Sequence, residues 1–245
     1  MKKDVLTLSD KIRFDCSPEL PCFTKCCQDV NIILTPYDII RIKNALGISS
    51  EKFLDQYTII FYKEKKLLPI VLLKMKEKDK KCPFVSRHGC RIYEDRPWAC
   101  RMFPLEPIEE KVYRLKADEN LCLGLKSDKE WFISQWIIAQ GVAEYDYMNR
   151  DFFKIVDSLK EIEPRMPTPS PKLQDMLFMC LYNLDKFREF IVTTTFLHKF
   201  DIDLHKVNRL MASDIELFEF AIDWIKFGLF GEPTLRLRKD KKKDK

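Results

Sequence analysis

Four cysteines stand close together near the start of the chain, in Cys16-Ser-Pro-Glu-Leu-Pro-Cys22-Phe-Thr-Lys-Cys26-Cys27. Four more follow at Cys82, Cys90, Cys100 and Cys122. Eight thiols in one half of a chain exceed what side-chain packing requires. No secretory signal is visible in residues 1–15, so we expect a cytoplasmic protein whose thiols stay reduced. Metal binding or redox chemistry then explains these cysteines better than disulfides do.

Length and composition exclude several classes of protein. The 245 residues are 46% hydrophobic and 33% charged, which suffices for a sizeable core and excludes wholesale disorder. Residues 236–245 carry as much net positive charge as the whole chain, +5, so the balanced remainder makes nucleic-acid binding unlikely. No apolar run reaches about 18 residues, so we expect no membrane span. The chain also lacks GxGxxG, GxxxxGK[ST] and HExxH motifs, which excludes the common phosphate loops and a His-based metalloprotease.

The distribution of prolines and apolar residues predicts a mostly α member of the α+β class. We expect an irregular, cysteine-rich metal-binding domain with short strands over residues 1–162. Four prolines within residues 163–171 interrupt any helix there and predict a proline-rich linker. We expect a helical region over residues 172–235 and a basic disordered tail over residues 236–245.

Local signals predict the positions of individual elements. Thr35 and Pro36 form an N-cap and first-turn pair, and Gly47 ends the helix that they begin. Ser170 and Ser213, the latter within a capping box, begin helices in the second part. The first part is predicted to contain helices over residues 36–46, 50–57 and 131–140 and strands over residues 67–74 and 111–116.

The eight clustered cysteines are the candidate metal ligands. Thiolates bind soft divalent metals and iron–sulfur clusters, and four of them complete a tetrahedral or cluster site. Eight thiols can fill two such sites, or one site with accessory thiols. Because Cys26 and Cys27 are adjacent, we expect them to serve different metals, or one to ligate and the other to support. The candidates are Cys16, Cys22, Cys26, Cys27, Cys82, Cys90, Cys100 and Cys122.

Tertiary structure has to assemble this site, because residues 28–81 separate Cys27 from Cys82. The chain contains no CxxC, the local turn that is typical of a zinc ribbon. On these ligand grounds we favour an iron–sulfur centre over zinc. Arg96 and Arg101 flank Cys100 and are expected to offset the negative charge of the thiolates.

Two residues with metal-binding chemistry are expected to lie outside the site. Cys180 occupies an apolar helical face and is predicted to be a core residue. His88 lies between two candidate ligands but is expected to be a solvated loop histidine.

The cysteine motifs resemble those of the YkgJ-type cysteine cluster proteins, a zinc- or iron-chelating family of the CxxCxxCC type. The resemblance covers residues 14–125, and its first cysteine group is more widely spaced than is usual in that family. Its matching segments are Phe14-Asp-Cys16, Cys22-Phe-Thr-Lys-Cys26-Cys27, Leu34-Thr-Pro-Tyr-Asp38-Ile, Cys82-Pro-Phe84, Gly89-Cys90-Arg-Ile-Tyr93-Glu-Asp-Arg96-Pro97 and Cys100-Arg-Met-Phe-Pro104.

The resemblance implies a bound metal but fixes no reaction. The cysteine cluster is also similar to that of the flagellin lysine-N-methylases, which implies an iron–sulfur site. We therefore expect a cytoplasmic metal-binding protein with a Cys-ligated iron–sulfur or zinc centre. One alternative is an enzyme that uses the centre for redox or methyl-transfer chemistry. The other is a zinc-stabilised interaction module that binds a protein partner through its helical region.

Overall fold

The computed structural model describes residues 5–166 and 168–238. Helices make up 49% of it and strands 15%, which confirms the mostly α, α+β class. The chain divides into two compact units. The first unit comprises residues 5–45, 57–59 and 71–148, and the second comprises residues 46–56, 60–70 and the described residues from 149 onward.

The elements alternate between short strands and helices up to residue 162, and helices follow. The strands are β1 (Leu6–Thr7), β2 (Lys11–Arg13), β3 (Thr58–Phe61), β4 (Ile70–Leu73), β5 (Val85–Ser86), β6 (Gly89–Cys90), β7 (Leu105–Glu109), β8 (Val112–Leu115) and β9 (Glu130–Phe132). The helices are α1 (Pro36–Leu46), α2 (Ser50–Tyr57), α3 (Trp98–Met102), α4 (Ile133–Ala139), α5 (Val142–Ile162), α6 (Pro171–Leu181), α7 (Leu184–Thr193), α8 (Leu204–Ala212) and α9 (Asp214–Phe230).

The strands of the first unit form several small antiparallel sheets around one core. β1, β8 and β7 make a three-stranded sheet in that order, β2 pairs with β9, and β5 pairs with β6 in a tight hairpin. Burying apolar side chains between these sheets and helices α3 and α4 is the main stabilising contribution. The buried cluster contains Leu6, Ile12, Phe14, Met102, Leu105, Leu125, Ile133, Trp136 and Val142.

Most of the local predictions for the first part are confirmed. α1 covers the predicted range and ends before Gly47, whose φ of 63° is a left-handed value that glycine adopts without strain. α2 also covers its predicted range. β4 and β8 lie within the two predicted strands and are shorter than predicted.

The helix predicted over residues 131–140 begins later than the sequence suggested. Residues 130–132 form β9, which pairs with β2, and α4 begins only at Ile133. The Lys11 ammonium lies 2.9 Å from the Glu130 carboxylate across this pair. The Ser127 hydroxyl accepts a hydrogen bond from the Lys129 amide, and no helix begins at Ser127. Cross-strand pairing, which a local pattern does not reveal, overrides helical propensity.

The helical prediction for the second part is confirmed. α6 begins at Pro171 after Ser170, and the Ser213 hydroxyl accepts a hydrogen bond from the Glu216 amide at the start of α9. The core of the second unit is aromatic, with the rings of Phe196 and Trp224 4.7 Å apart in an edge-to-face arrangement.

The segment predicted as a linker begins where α5 ends. Residues 163–165 form a 3₁₀ turn there, and no regular element follows before α6 among the residues described. Residues 239–245 of the predicted basic tail lie outside the described residues. In the described part of the chain, every helix is too short or too polar to cross a membrane.

Candidate metal centre

The first cysteine segment folds into a series of tight turns. Thr24 has a φ of 65°, a left-handed conformation that is rare for a β-branched residue and costs roughly 1–3 kcal/mol. The Lys25 amide donates a hydrogen bond to the carbonyl of Cys22 at 3.0 Å, and residues 25–27 continue as a 3₁₀ turn. These turns leave the sulfur atoms of Cys26 and Cys27 only 4.0 Å apart.

A backbone hydrogen bond joins the first cysteine segment to the second. The Cys82 amide donates to the Cys27 carbonyl at 2.8 Å, and Gln28 forms a β-bridge with Lys81. The Val85 amide then donates to the Cys82 carbonyl at 3.2 Å, and Val85 faces Cys90 in the β5–β6 hairpin. The segment that holds Cys82 and Cys90 therefore lies beside Cys27, although residues 28–81 separate the two along the chain.

Cys100 lies on the short helix α3, and the carboxylate of Asp38 holds the start of that helix. One Asp38 oxygen accepts a hydrogen bond from the Trp98 amide at 2.8 Å. The other accepts bonds from the amide and hydroxyl of Thr35 at 2.8 and 2.9 Å. Asp38 is fully buried, and burial raises the pKa of its carboxyl to about 6. A single buried side chain thus ties the start of α1 to the helix that carries Cys100.

The two arginines near Cys100 have different roles. The buried Arg101 guanidinium donates to the backbone carbonyls of Gln140, Arg96 and Glu94, so it braces the backbone. Arg96 acts on the thiols, because its positive charge opposes the rise that burial causes in the pKa of Cys90. Arg96 therefore shows the electrostatic role that the sequence predicted for it, and the same role for Arg101 stays a prediction.

The last candidate cysteine, Cys122, returns to the first segment. The Leu123 amide lies 3.3 Å from the Cys22 sulfur and donates a hydrogen bond to it. The Asp15 amide donates to the Gly124 carbonyl at 3.0 Å. A Cβ atom at Gly124 would stand 2.6 Å from the Asp15 carbonyl oxygen, so only glycine allows this approach.

Electrostatic interactions link several of the thiols. Burial and the negative charges of Cys26, Cys122 and Cys22 together raise the pKa of Cys16 to about 11. Burial is also the main cause of the raised pKa of Cys122, and Cys22 and Cys26 add to it. Their ionised forms repel one another, which a bound cation would relieve.

A second set of interactions surrounds Cys27. A hydrogen bond with Cys26 and burial raise the pKa of Cys27, and the charges of Cys82 and Cys100 add to the effect. The same bond lowers the pKa of Cys26 to about 7. Burial raises the pKa of Cys100, and the charges of Cys82 and Cys90 raise it further.

The eight candidate cysteines all lie in the first unit, and Cys180 lies in the second. All nine cysteines are free of disulfides. Cys180 is completely buried on α6 in the second unit, which confirms its assignment to the core. His88 is exposed, and its Nε2 accepts a hydrogen bond from Arg87 at 2.8 Å. Among the described residues, no three His, Cys, Asp or Glu side chains already stand at the spacing that a single metal ion requires.

These features define a cysteine-rich α+β domain that gathers dispersed thiols without linking them. Residues 15–123 match the family model CxxCxxCC, described as "Putative zinc- or iron-chelating domain". Comparison with curated proteins and with solved structures gave no significant match. The match supports chelation of zinc or iron by this part of the chain.

Two residues gain importance from the structure. The sequence does not predict the contact between Gly124 and Asp15, because a glycine two residues after a cysteine has many possible roles. Asp38 follows a proline in the first turn of a helix, where an acidic residue is ordinary capping chemistry. The hydrogen bond that Asp38 accepts from the Trp98 amide is not predicted by any pattern in the sequence.

Proposed function

We propose that this protein chelates metal through the eight cysteines from Cys16 to Cys122. The main support is the convergence of thiols that are distant in sequence, shown most directly by the bond between the Cys82 amide and the Cys27 carbonyl. Thiols that only fill space have no need to converge, whereas ligands of one centre do. A cytoplasmic location is part of the proposal, since thiols stay reduced there.

The chemistry of the donor set fits a metal centre. Thiolates are the preferred ligands of zinc and of iron–sulfur clusters, and the raised pKa values of Cys16 and Cys100 mean that these two thiols resist ionisation without metal. A cation would reverse that resistance by stabilising the thiolate form. The bound metal would supply either electron transfer or structural cross-linking, and the cysteines would hold it in place.

We favour an iron–sulfur centre. Four thiolates around one zinc ion stand about 3.8 Å apart, given a Zn–S distance of about 2.3 Å in a tetrahedron. The chain has no CxxC turn of the kind typical of a zinc ribbon, and its cysteines converge only through the fold, which favours a cluster. Zinc is the second candidate, because thiolates are also its preferred ligands.

Metal analysis of anaerobically purified protein tests the proposal. Stoichiometric iron with visible absorbance that bleaches on reduction would support a cluster, and stoichiometric zinc in a colourless protein would support structural metal. The Cys82→Ala variant should lose metal, and the Cys180→Ala variant, which alters a cysteine outside the centre, should retain it. Protein with neither iron nor zinc would contradict the proposal.

A further inference from the structure

Positive charge is concentrated in residues 74–91 of the first unit. This stretch contains seven Lys and Arg residues and two acidic ones, so its net charge is +5, the same as that of the whole chain. Charge that is segregated in this way creates a local positive potential on the surface, which attracts an anionic partner and steers its approach.

Residues 74–81, which we call the basic turn, hold most of these cations on a fixed backbone. The Lys76 amide donates a hydrogen bond to the Lys81 carbonyl at 2.9 Å and closes the turn. The side-chain amide of Gln28 donates to the Asp79 carbonyl at 2.9 Å and anchors it. All five lysines of the basic turn are exposed. The shape of the backbone therefore presents their charges together to solvent.

Most lysines of the basic turn have no acidic partner. The Lys81 ammonium lies 3.9 Å from the Asp79 carboxylate, and the other four lysines form no ion pair among the residues that the structure describes. Elsewhere in the first unit, a single carboxylate, that of Glu106, pairs with both Arg114 and Lys116. Neighbouring cations without partners repel one another, and a bound anionic surface would relieve that repulsion.

The basic turn ends at the candidate metal centre. Lys81 directly precedes Cys82 in the sequence and forms a β-bridge with Gln28. The Arg91 guanidinium donates a hydrogen bond to the Pro83 carbonyl at 2.9 Å, which adds a positive charge just after Cys82. A partner that binds the basic turn would therefore lie beside the cysteines.

We propose that the basic turn docks an acidic segment of a partner protein next to the candidate metal centre. Glu77 and Asp79 alternate with the lysines, so a continuous phosphate backbone would meet two repulsive carboxylates, whereas a polypeptide can present a cation to each. A small and charged surface of this kind is typical of a transient complex. The inference goes beyond metal chelation and holds whether or not the centre is loaded.

Cross-linking of the full chain to a decaglutamate peptide identifies the lysines that meet an acidic partner. A carbodiimide reagent joins a carboxyl group to a neighbouring lysine amine, and peptide mapping locates the product. We expect cross-links within residues 74–81 and none at three exposed lysines elsewhere in the first unit, Lys111, Lys116 and Lys126. A map without cross-links in the basic turn, such as one confined to the lysines of residues 239–245, would overturn the proposal.

Matched charge-reversal variants measure the contribution of the basic turn to affinity for the same labelled peptide. The test variant combines Lys74→Glu, Lys76→Glu and Lys78→Glu, and the control combines Lys111→Glu, Lys116→Glu and Lys126→Glu. We expect affinity to fall about tenfold in the test variant and less than about twofold in the control, although both change the net charge equally. Circular dichroism checks that each variant is folded. Equal losses in the two variants would overturn a localised docking surface.

Single-stranded oligothymidylate of the same charge as the peptide tests the choice of partner. We expect it to bind more weakly than decaglutamate and to be insensitive to the test variant. Tighter binding of the oligonucleotide that the test variant abolishes would assign the basic turn to nucleic acid and overturn the proposed protein partner. Metal content should be the same in the wild type and both variants, so this result is distinct from a failure of the proposed metal binding.

Discussion

The Cys82 amide donates a hydrogen bond of 2.8 Å to the carbonyl oxygen of Cys27. This one contact connects two cysteine segments that residues 28–81 separate along the chain. It also fixes the two sulfur-bearing residues by their backbones, so their relative position depends little on side-chain rotamers. The fold therefore brings the backbones of Cys27 and Cys82 together without a disulfide between them.

Replacing Gly124 with alanine should damage the candidate metal centre near Cys16 and Cys122. The added Cβ atom would meet the Asp15 carbonyl oxygen at 2.6 Å, so the backbone near Cys16 or Cys122 has to move. We expect a loss of about 1–3 kcal/mol in the free energy of unfolding and a loss of bound metal.

The Gly228→Ala variant is the matched control for Gly124→Ala. Gly228 lies within α9, and the nearest atom to an added Cβ is the Trp224 Nε1 at 3.9 Å, an ordinary contact. Alanine there should raise the unfolding free energy by roughly 0.5–1 kcal/mol and leave metal content unchanged. Equal metal content in both variants would show that the Gly124 contact does not support the site.

The Asp38→Asn variant should weaken metal binding at the candidate centre near Cys100. Asparagine keeps one acceptor oxygen but places an amide nitrogen against a backbone donor, either that of Trp98 or that of Thr35. The start of α3, the helix that carries Cys100, is then held less firmly, and we expect metal affinity to fall about tenfold. Asp157→Asn, at an exposed position on α5, should bind metal like the wild type in a competition titration with a coloured chelator.

The same substitution should change how stability depends on pH in the metal-free protein. Burial raises the pKa of Asp38 from 3.8 to about 6, so the folded state keeps a proton that the unfolded chain has released. The resulting stabilisation is complete below pH 3.8 and is lost as the pH rises through about 6. Asparagine does not titrate, so chemical denaturation across this range should show a smaller decline in Asp38→Asn. Parallel curves for the two proteins would contradict this assignment.

Removal of the metal should destabilise the first unit more than the second. The eight candidate ligands all lie in the first unit, and binding energy that depends on the folded site adds to folding stability. Hydrogen exchange before and after chelation should show faster exchange at the Cys82 and Leu123 amides and little change in α6 and α9. Uniform protection in both states would contradict a stabilising metal.

The Cys180→Ala variant should affect packing alone. The Cys180 side chain is completely buried on α6, so its truncation should cost about 1 kcal/mol of unfolding free energy. Thermal unfolding measures that cost, and metal analysis should find no change. Loss of metal in this variant would mean that the second unit contributes to the centre.

Several elements were predictable because their signals are local. A cap and a terminating glycine fixed the ends of α1, and Ser213 fixed the start of α9. β9 was not predictable, because residues 130–132 become a strand only by pairing with β2. The resemblance of the cysteine motifs to a zinc- or iron-chelating family was also readable from the sequence, and the family-model match over residues 15–123 confirms that resemblance.

The sequence by itself determined which atoms are available: eight clustered thiols, the helices bounded by caps, and an apolar pattern sufficient for a core. Covalent composition and the local backbone preferences of residues such as Pro36 and Gly47 carry that information. Tertiary structure alone decided which thiols become neighbours, since those contacts join Cys27 to Cys82 and Cys22 to Leu123 across long stretches of chain. Such contacts form because burying the core brings the segments together, and no local pattern in either segment records its partner.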